Sequence, residues 1–247
     1  MDWTAKYFDE VYARFFLESV DDLRTSSQID LIIGKTGIVP GSVVADIGCG
    51  LGRHAINFAK RGYKAYGYDF SELYIEKAKQ SAVLSSVTDC IFIKKDAREF
   101  DEVAKFDMVT SLWVSFGYFD DKTNLDVLCR MAKSLKPGGF MVIDLENREY
   151  IMRHFIVDKY RDRDGFLILE RNKFDAFTSM NKCTRTIVAP DGTRSVYKRE
   201  VRLYTLTEMI QMGATCGIRF DTVFGDWDGN AYGLEVPRMI LIGRVGK

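Results

Sequence analysis

The stretch VVADIGCGLGRHA, residues 43–55, decides the fold. Its first five residues are small or β-branched and apolar around one aspartate, the make-up of a buried strand. Glycines follow at 48, 50 and 52, and RHAINFAK then takes a helical pattern. A strand that enters a glycine turn and leaves as a helix opens a parallel α/β unit and usually holds a nucleotide. In the dinucleotide pattern G-x-G-x-x-G, a third glycine lets helix and strand approach while a pyrophosphate sits on the helix N-terminus. Here Arg53 occupies that third position, and Asp46 stands two residues before Gly48. A carboxylate there repels a pyrophosphate and favours a cation.

S-adenosylmethionine, a nucleoside with a sulfonium and an ammonium and no phosphate, therefore fits Asp46 better than a nicotinamide dinucleotide does. Two more carboxylates extend the pattern. Asp69 ends the second strand, KAYGYDF, where it can accept from both ribose hydroxyls. Asp96 ends the third, CIFIKKDA, where it can accept from the adenine amino group. The glycine turn alone is a weak signal; three aspartates at successive strand ends are a stronger one.

Working outward, β-branched runs alternate with helical stretches from residue 40 to 147, which predicts a parallel sheet with helices on both faces. Ser71 is placed to cap YIEKAKQ, and Pro137-Gly138-Gly139 to stop the helix after Leu135. Beyond residue 150, FLILERNKFDA, NKCTRTIVAP and SVYKREVRLYT are strand-like, with Asp191-Gly192 a hairpin turn. TLTEMIQMGATCG restores a helix opened by Thr205 or Thr207, and IRFDTVFGDW with RMILIGRV forms a closing hairpin. The expected fold is α/β, a Rossmann-like and mostly parallel sheet with a closing antiparallel hairpin and an inserted antiparallel β ribbon. The expected division is an N-terminal helical cap over 1–39, a nucleotide-binding unit over 40–150 and 205–247, and an inserted lid over 151–204.

Composition narrows the function. Lysine plus arginine equals aspartate plus glutamate at 35 each among 247 residues, which removes the diffuse positive field that nucleic-acid binders use. The five cysteines, 49, 90, 129, 183 and 216, are widely spaced with no C-x-x-C pair. That argues against zinc or a disulfide framework and for reduced thiols in a cytoplasm. There is no signal pattern and no apolar run of 18 residues. His54 and His154 offer no triad or ligand spacing, so no metal is expected.

VADIGCGLGRHA, GYDFSELYIEKAK, KKDA, FDMVTSLWVSFGYF and LKPGGFMVIDL together resemble successive motifs of the class I S-adenosylmethionine-dependent methyltransferases. The inserted ribbon resembles the small-molecule branch of that family, such as sugar-amine and glycine N-methyltransferases. The resemblance implies that Gly48, Cys49, Gly50 and Gly52 form the turn around the methionine and ribose part, with Asp46 beneath it. It implies that Asp69 holds the ribose, Phe70 packs on the adenine, and Asp96 with Ala97 binds the adenine edge, with Leu112 beside the cofactor. By the same similarity an N-terminal helical segment closes over the cofactor, Arg24 pairs with the methionine carboxylate, and Tyr12 lies nearby.

The acceptor belongs at the carboxyl ends of the parallel strands. WVSFGYF, ENRE, the ribbon and the DWDGNAY loop converge there, so Trp113, Ser115, Phe116, Asn147, Arg202 and Trp227 are the candidate substrate-binding residues. Holding donor and acceptor in line supplies roughly 7–11 kcal/mol without further chemistry. Where a proton must leave the acceptor, Asp228 and Tyr204 are the candidates to assist. The leading reading is methyl transfer to nitrogen or oxygen of a small molecule. An RNA or protein methyltransferase and a non-catalytic cofactor-binding module are the alternatives. The missing N/D-P-P-Y-like turn and basic appendage count against nucleic acid.

Overall fold

β1 (Val43–Ile47) is buried along almost its whole length, as a central parallel strand covered on both faces must be. The computed structural model describes residues 9–18 and 21–246. β1 pairs in parallel with β2 (Lys64–Asp69) on one side and β4 (Phe106–Ser111) on the other. β3 (Cys90–Lys94) continues beyond β2, and β5 (Leu135–Glu146) beyond β4. β11 (Arg238–Val245) lies antiparallel between β5 and β10 (Ile218–Phe224), so the sheet order is β10-β11-β5-β4-β1-β2-β3. Chain order reverses between β1 and β4, and ligand crevices open at such a switch point.

Side chains alternate across this sheet, and each set has its own core. Val44, Met108, Val142 and Ile240 pack with residues of α1 (Asp22–Thr36), α2 (Arg53–Lys60) and α3 (Glu72–Leu84). Ala45, Val109, Met141, Ile143 and Leu241 pack with α4 (Asp121–Ser134) and α6 (Leu206–Thr215). The helix starts follow from short side-chain caps. Asp21, Ser71 and Asp120 accept from backbone N–H groups of α1, α3 and α4, and Thr205 with Glu208 forms a capping box on α6. Strand β5 begins at Leu135, directly after α4 and ahead of the Pro-Gly-Gly run.

The segment after β5 forms a short helix, α5 (Arg148–Arg153), and then a second sheet. Its order is β6 (Asp158–Arg163), β7 (Phe166–Asp175), β8 (Met180–Val188) and β9 (Arg194–Arg202), every pair antiparallel. The sequence reading had three of these four strands. DKYRDR hides β6 because an edge strand tolerates charge on both faces and loses the alternating pattern. Ahead of α1, residues 10–12 form a helical turn that runs into a π-helical turn at Ala13–Leu17. Phe15 packs there with Ile168 and Ile187 of the second sheet. The rest of the expected N-terminal cap, residues 1–8, 19 and 20, lies outside the described residues. No helix among the described residues is long and apolar enough to cross a membrane.

One expectation is corrected. Cys129 of α4 and Cys216 at the end of α6 form a disulfide, while Cys49, Cys90 and Cys183 are free. A separation of 87 residues concealed the pair; packing of α4 against α6 brings the two together. The loop it closes contains the entire second sheet. For a loop of this length the chain-entropy model gives about 4–5 kcal/mol, against a typical range of about 2–5. We expect Cys216→Ser to lower the unfolding free energy read from urea titration under non-reducing conditions by that order, with a lower midpoint. An equal midpoint for both chains would show that the bridge carries no stability.

Candidate active site

The glycine turn is shaped by what crowds it. Gly48 has φ 73°, and a Cβ there would lie 2.6 Å from the Ser115 Cβ. Only glycine lets the turn after β1 meet the turn after β4 this closely. Gly52, with φ 80°, starts α2 against Phe92, whose ring would lie 2.5 Å from a Cβ. Gly52 thus makes the helix-to-sheet approach that a dinucleotide turn assigns to its third glycine, which leaves the next position open to Arg53.

The turn after β4 is strained. Trp113 and Val114 both lie in the left-handed region, at φ 60° and 61°, which a β-branched residue seldom adopts. Asp144, fully buried in β5, over-determines this turn. Its carboxylate accepts from the Trp113 N–H at 2.9 Å and its carbonyl from the Val114 N–H at 3.1 Å. Arg238 of β11 neutralises it through a 2.7 Å bond from Nε. Ser115 Oγ then donates to the Gly48 and Leu112 carbonyls, tying the two turns together.

Between these turns and the ends of β2 and β3 is a cavity of about 1050 Å³, part of it open to solvent. Gly48, Cys49, Gly50, Asp69, Phe70, Asp96, Ala97, Leu112, Trp113 and Ser115 line it, and Tyr12 and Leu17 reach it from the N-terminal segment. That segment is fastened from both sides. Tyr74 Oη donates to the Asp9 carbonyl at 3.0 Å, Lys77 pairs with Glu18 at 2.9 Å, and Arg163 Nη1 donates to the Phe15 carbonyl at 2.6 Å.

Two carboxylates here are desolvated. Asp69 is 6% exposed and accepts from the Gly50 and Ser71 N–H groups at 2.9 Å each. Burial nevertheless raises its pKa to about 6. A carboxylate has about four lone-pair sites, so acceptor capacity is left for a ligand. Asp46 accepts from Thr110 Oγ1 at 2.8 Å, but its Oδ2 is buried with no hydrogen bond, and burial raises its pKa to about 7. Asp96 accepts from the Arg98 N–H at 2.8 Å and from the Arg98 guanidinium.

Residues 44–139 match the model of a methyltransferase domain. Over that stretch the chain carries a methyltransferase domain. It is 30% identical over 217 residues to protein arginine N-methyltransferase 8-B of Danio rerio, which covers 81% of this chain and 50% of that protein. It is 28% identical over 138 residues to the dTDP-3-amino-3,4,6-trideoxy-alpha-D-glucopyranose N,N-dimethyltransferase of Streptomyces venezuelae, 55% of each chain. The chain spans about half the length of the first curated relatives that it matches. Its fold is similar to that of an S-adenosylmethionine-dependent methyltransferase from Clostridium acetobutylicum, with a TM-score of 0.82 at 17% identity over 96% of this chain and 97% of that one.

S-adenosylmethionine is the cofactor that such a domain implies, and the residues at the cavity fit it. Asp69, desolvated at the wall with acceptor capacity to spare, suits a pair of hydroxyls, while Asp46 is buried behind the lining. Among the described residues no group of three or more His, Cys, Asp or Glu is placed to hold a metal ion.

The structure draws several proposed residues elsewhere. Arg24 is exposed and outside the cavity lining, and Asp46 and Gly52 lie behind it. Tyr204 is 2% exposed in the core, donating to Asp121 and accepting from Asn124. It is withdrawn as a proton acceptor, and burial raises its phenol further from service. Phe116 packs beside it at 6.0 Å. Asn147 is fully buried, caps α5 and donates to the Gly233 and Val236 carbonyls. Arg202 pairs with Asp121 and Glu208. Trp227 packs on the first core, and Asp228 is exposed on its loop. Conversely, Arg53, Tyr74 and Lys95 line the cavity without having been expected there, and His54 lines it together with Tyr118 and Phe119 of the WVSFGYF segment. For Arg53 and His54 the available signal was their position directly after the turn.

Two outcomes follow from the carboxylates. Asp69→Ala should weaken S-adenosylhomocysteine binding by about 1.5–3 kcal/mol in calorimetry; unchanged affinity removes Asp69 from the site. Unfolded, both groups ionise near 3.8; folded, near 7 for Asp46 and 6 for Asp69. Within that interval the folded state binds more protons at these two groups, so their contribution to stability falls as pH rises from about 4 to 7 and then levels, while His54, held by burial well below its usual 6.5, contributes the opposite slope. The stability difference between wild type and Asp46→Asn, followed by urea titration, should fall as pH rises through that window.

Proposed function

We propose that this chain transfers a methyl group to a nitrogen of a small molecule. The observation that carries the reading is the cavity at the β1/β4 switch point, lined by Asp69 and Asp96 and roofed by the N-terminal segment, with the second sheet beside it. The two curated relatives described above both act, by their names, on nitrogen.

Bound S-adenosylmethionine supplies a methyl group activated by its sulfonium. Asp69 would hold the ribose hydroxyls, and Asp46 would favour the positive charge from beneath the turn. The Trp113 turn and Phe119 would wall the donor, while the N-terminal segment and the second sheet, acting as a lid, would exclude water and hold the reactants in line.

For the acceptor, a polar group stands where β5 meets the second sheet. Glu146 closes β5, and its Oε2 is buried without a hydrogen bond, 3.6 Å from Arg199 Nη2 of β9. Arg199 also bonds Tyr118, which lines the cavity. Asn181 Oδ1 and Arg148 Nε are likewise buried without partners. Each such atom costs about 1–3 kcal/mol until it is matched. An amine matches Glu146, which would take the proton that the accepting nitrogen loses. A cytoplasmic location belongs to this reading and suits the three free thiols; a reducing compartment would act against the Cys129–Cys216 bridge.

The similarity to an arginine N-methyltransferase supports a second reading, with a protein guanidinium as acceptor. S-adenosylhomocysteine release should be followed with aminosugars, small amines and arginine peptides. We expect turnover of a small amine, with Glu146→Gln raising its KM at least tenfold and leaving cofactor affinity unchanged. Turnover of the peptides alone would sink the small-molecule reading.

A further inference from the structure

The second sheet has two unlike faces. Its inner face buries Ile168 and Ile187 against Phe15 of the N-terminal segment. Its outer face is built from the alternate residues, which the strand register sets in rows across the sheet. Between Asp162 of β6 and Arg194 of β9 stand Leu167 and Val188. The next row is Tyr160, Leu169, Thr186 and Val196, and the third begins at Asp158 and ends at Lys198. Tyr160 is 80% exposed, Val196 60%, Leu169 39% and Leu167 37%. Apolar residues scattered singly on a surface are ordinary, but these are neighbours in one patch. Beyond Asp158, where β6 begins, the face turns basic with Lys173 and Lys182, and the patch stops there.

The charges at the row ends have a fixed sense, acidic along β6 and basic along β9. Asp158 pairs with Arg171 at 2.7 Å, but Asp162, Arg194 and Lys198 have no ion pair among the described residues. Consider two such sheets stacked face to face about a two-fold axis parallel to the strands, which lays each β6 over the partner's β9. Asp162 then meets the partner's Arg194, Asp158 the partner's Lys198, and Tyr160 the partner's Val196. Leu167 and Leu169 lie over the partner's Val188 and the partner's Thr186. An axis running across the strands would instead set Asp162 on the partner's Asp158 and Arg194 on the partner's Lys198. Like charges oppose that arrangement, so the patch complements itself in one orientation.

We propose that this face seats a second copy of the chain, in a two-fold dimer whose two sheets stack with their strands nearly aligned. The charges decide the occupant. A partner carrying the same patch matches the acidic edge, the apolar centre and the basic edge at once. The inference goes beyond methyl transfer and does not depend on it. The partner backs the sheet whose inner face holds the N-terminal segment over the cavity.

Sedimentation equilibrium of the full chain at micromolar concentration should give the mass of two chains. Leu169→Glu should raise the dissociation constant tenfold or more. Asp162→Arg and Arg194→Asp, each made alone, set like charges opposite one another and should weaken the dimer in the same way. Mixed in equal amounts, these two charge variants should associate again, because each offers the charge that the other lacks. That recovery also reports that both variants are folded. A wild-type chain that stays monomeric overturns the proposal and leaves the face to a different protein. A dimer that Leu169→Glu or the charge variants leave unchanged lies on another face and overturns it too. So does a pair of charge variants that fails to recover on mixing.

Discussion

The buried carboxylate of Asp144 holds the rest of the site in place. It sits in the middle of the sheet, where an isolated charge would be very costly, and Arg238 from the neighbouring antiparallel strand offsets it. What the pair secures is the double left-handed turn at Trp113 and Val114, a conformation that costs of order 1–3 kcal/mol per residue. From that turn, Trp113 faces the arginines, Ser115 meets Gly48, and Tyr118 reaches the second sheet. The closing hairpin thus does more than complete the sheet, since β11 carries the counter-charge that makes the turn tenable.

The same economy of charge operates on the other side of the cavity. Asp46 and Asp69 are held where water is scarce, and each keeps acceptor capacity that the protein alone does not fill. A protein selected only for stability would replace such groups with apolar ones of similar volume. Their retention makes sense where a ligand's hydroxyls complete Asp69 and its positive charge lies near the buried Asp46, at the expense of stability in the empty form. Arg53 is the counterpart of opposite sign, a desolvated cation with one terminal nitrogen buried and without a hydrogen bond.

Much of the fold was legible in residues 43–147, because a parallel α/β unit announces itself through buried strands, glycine turns and short side-chain caps. The cofactor edge was legible for a related reason: turns and strand ends place their residues by local geometry. Where the placement depended on long-range packing, single-sequence reasoning failed. Arg202 and Tyr204 are site candidates because the ribbon converges on the strand ends, but their partners Asp121, Asn124 and Glu208 are fixed by how α4 and α6 meet the sheet. The Cys129–Cys216 bridge depends on the same packing. Asn147 shows the converse. It was chosen for its position beyond a strand end, and it proves to pin the final hairpin, so that the acceptor wall depends on it only indirectly.

The second sheet explains why donor and acceptor had to be read by different means. Its inner row alternates apolar anchors, Phe166, Ile168 and Ile187, with charged or polar side chains, Glu170, Arg185 and Arg199. The apolar members hold the N-terminal segment that roofs the cofactor. The polar members are mostly paired, Arg185 with Glu170 within the sheet and Arg199 with Glu146 of β5. A strand carrying both duties has no clean hydrophobic alternation, and its net charge says little about its ligand. The informative quantity is the remainder beyond these ion pairs: Asn181 Oδ1 and Arg148 Nε have no hydrogen bond, and Glu146 Oε2 has only its 3.6 Å contact with Arg199. An acceptor with a donating nitrogen and further polar groups satisfies that remainder, and an apolar acceptor would leave all three unmatched.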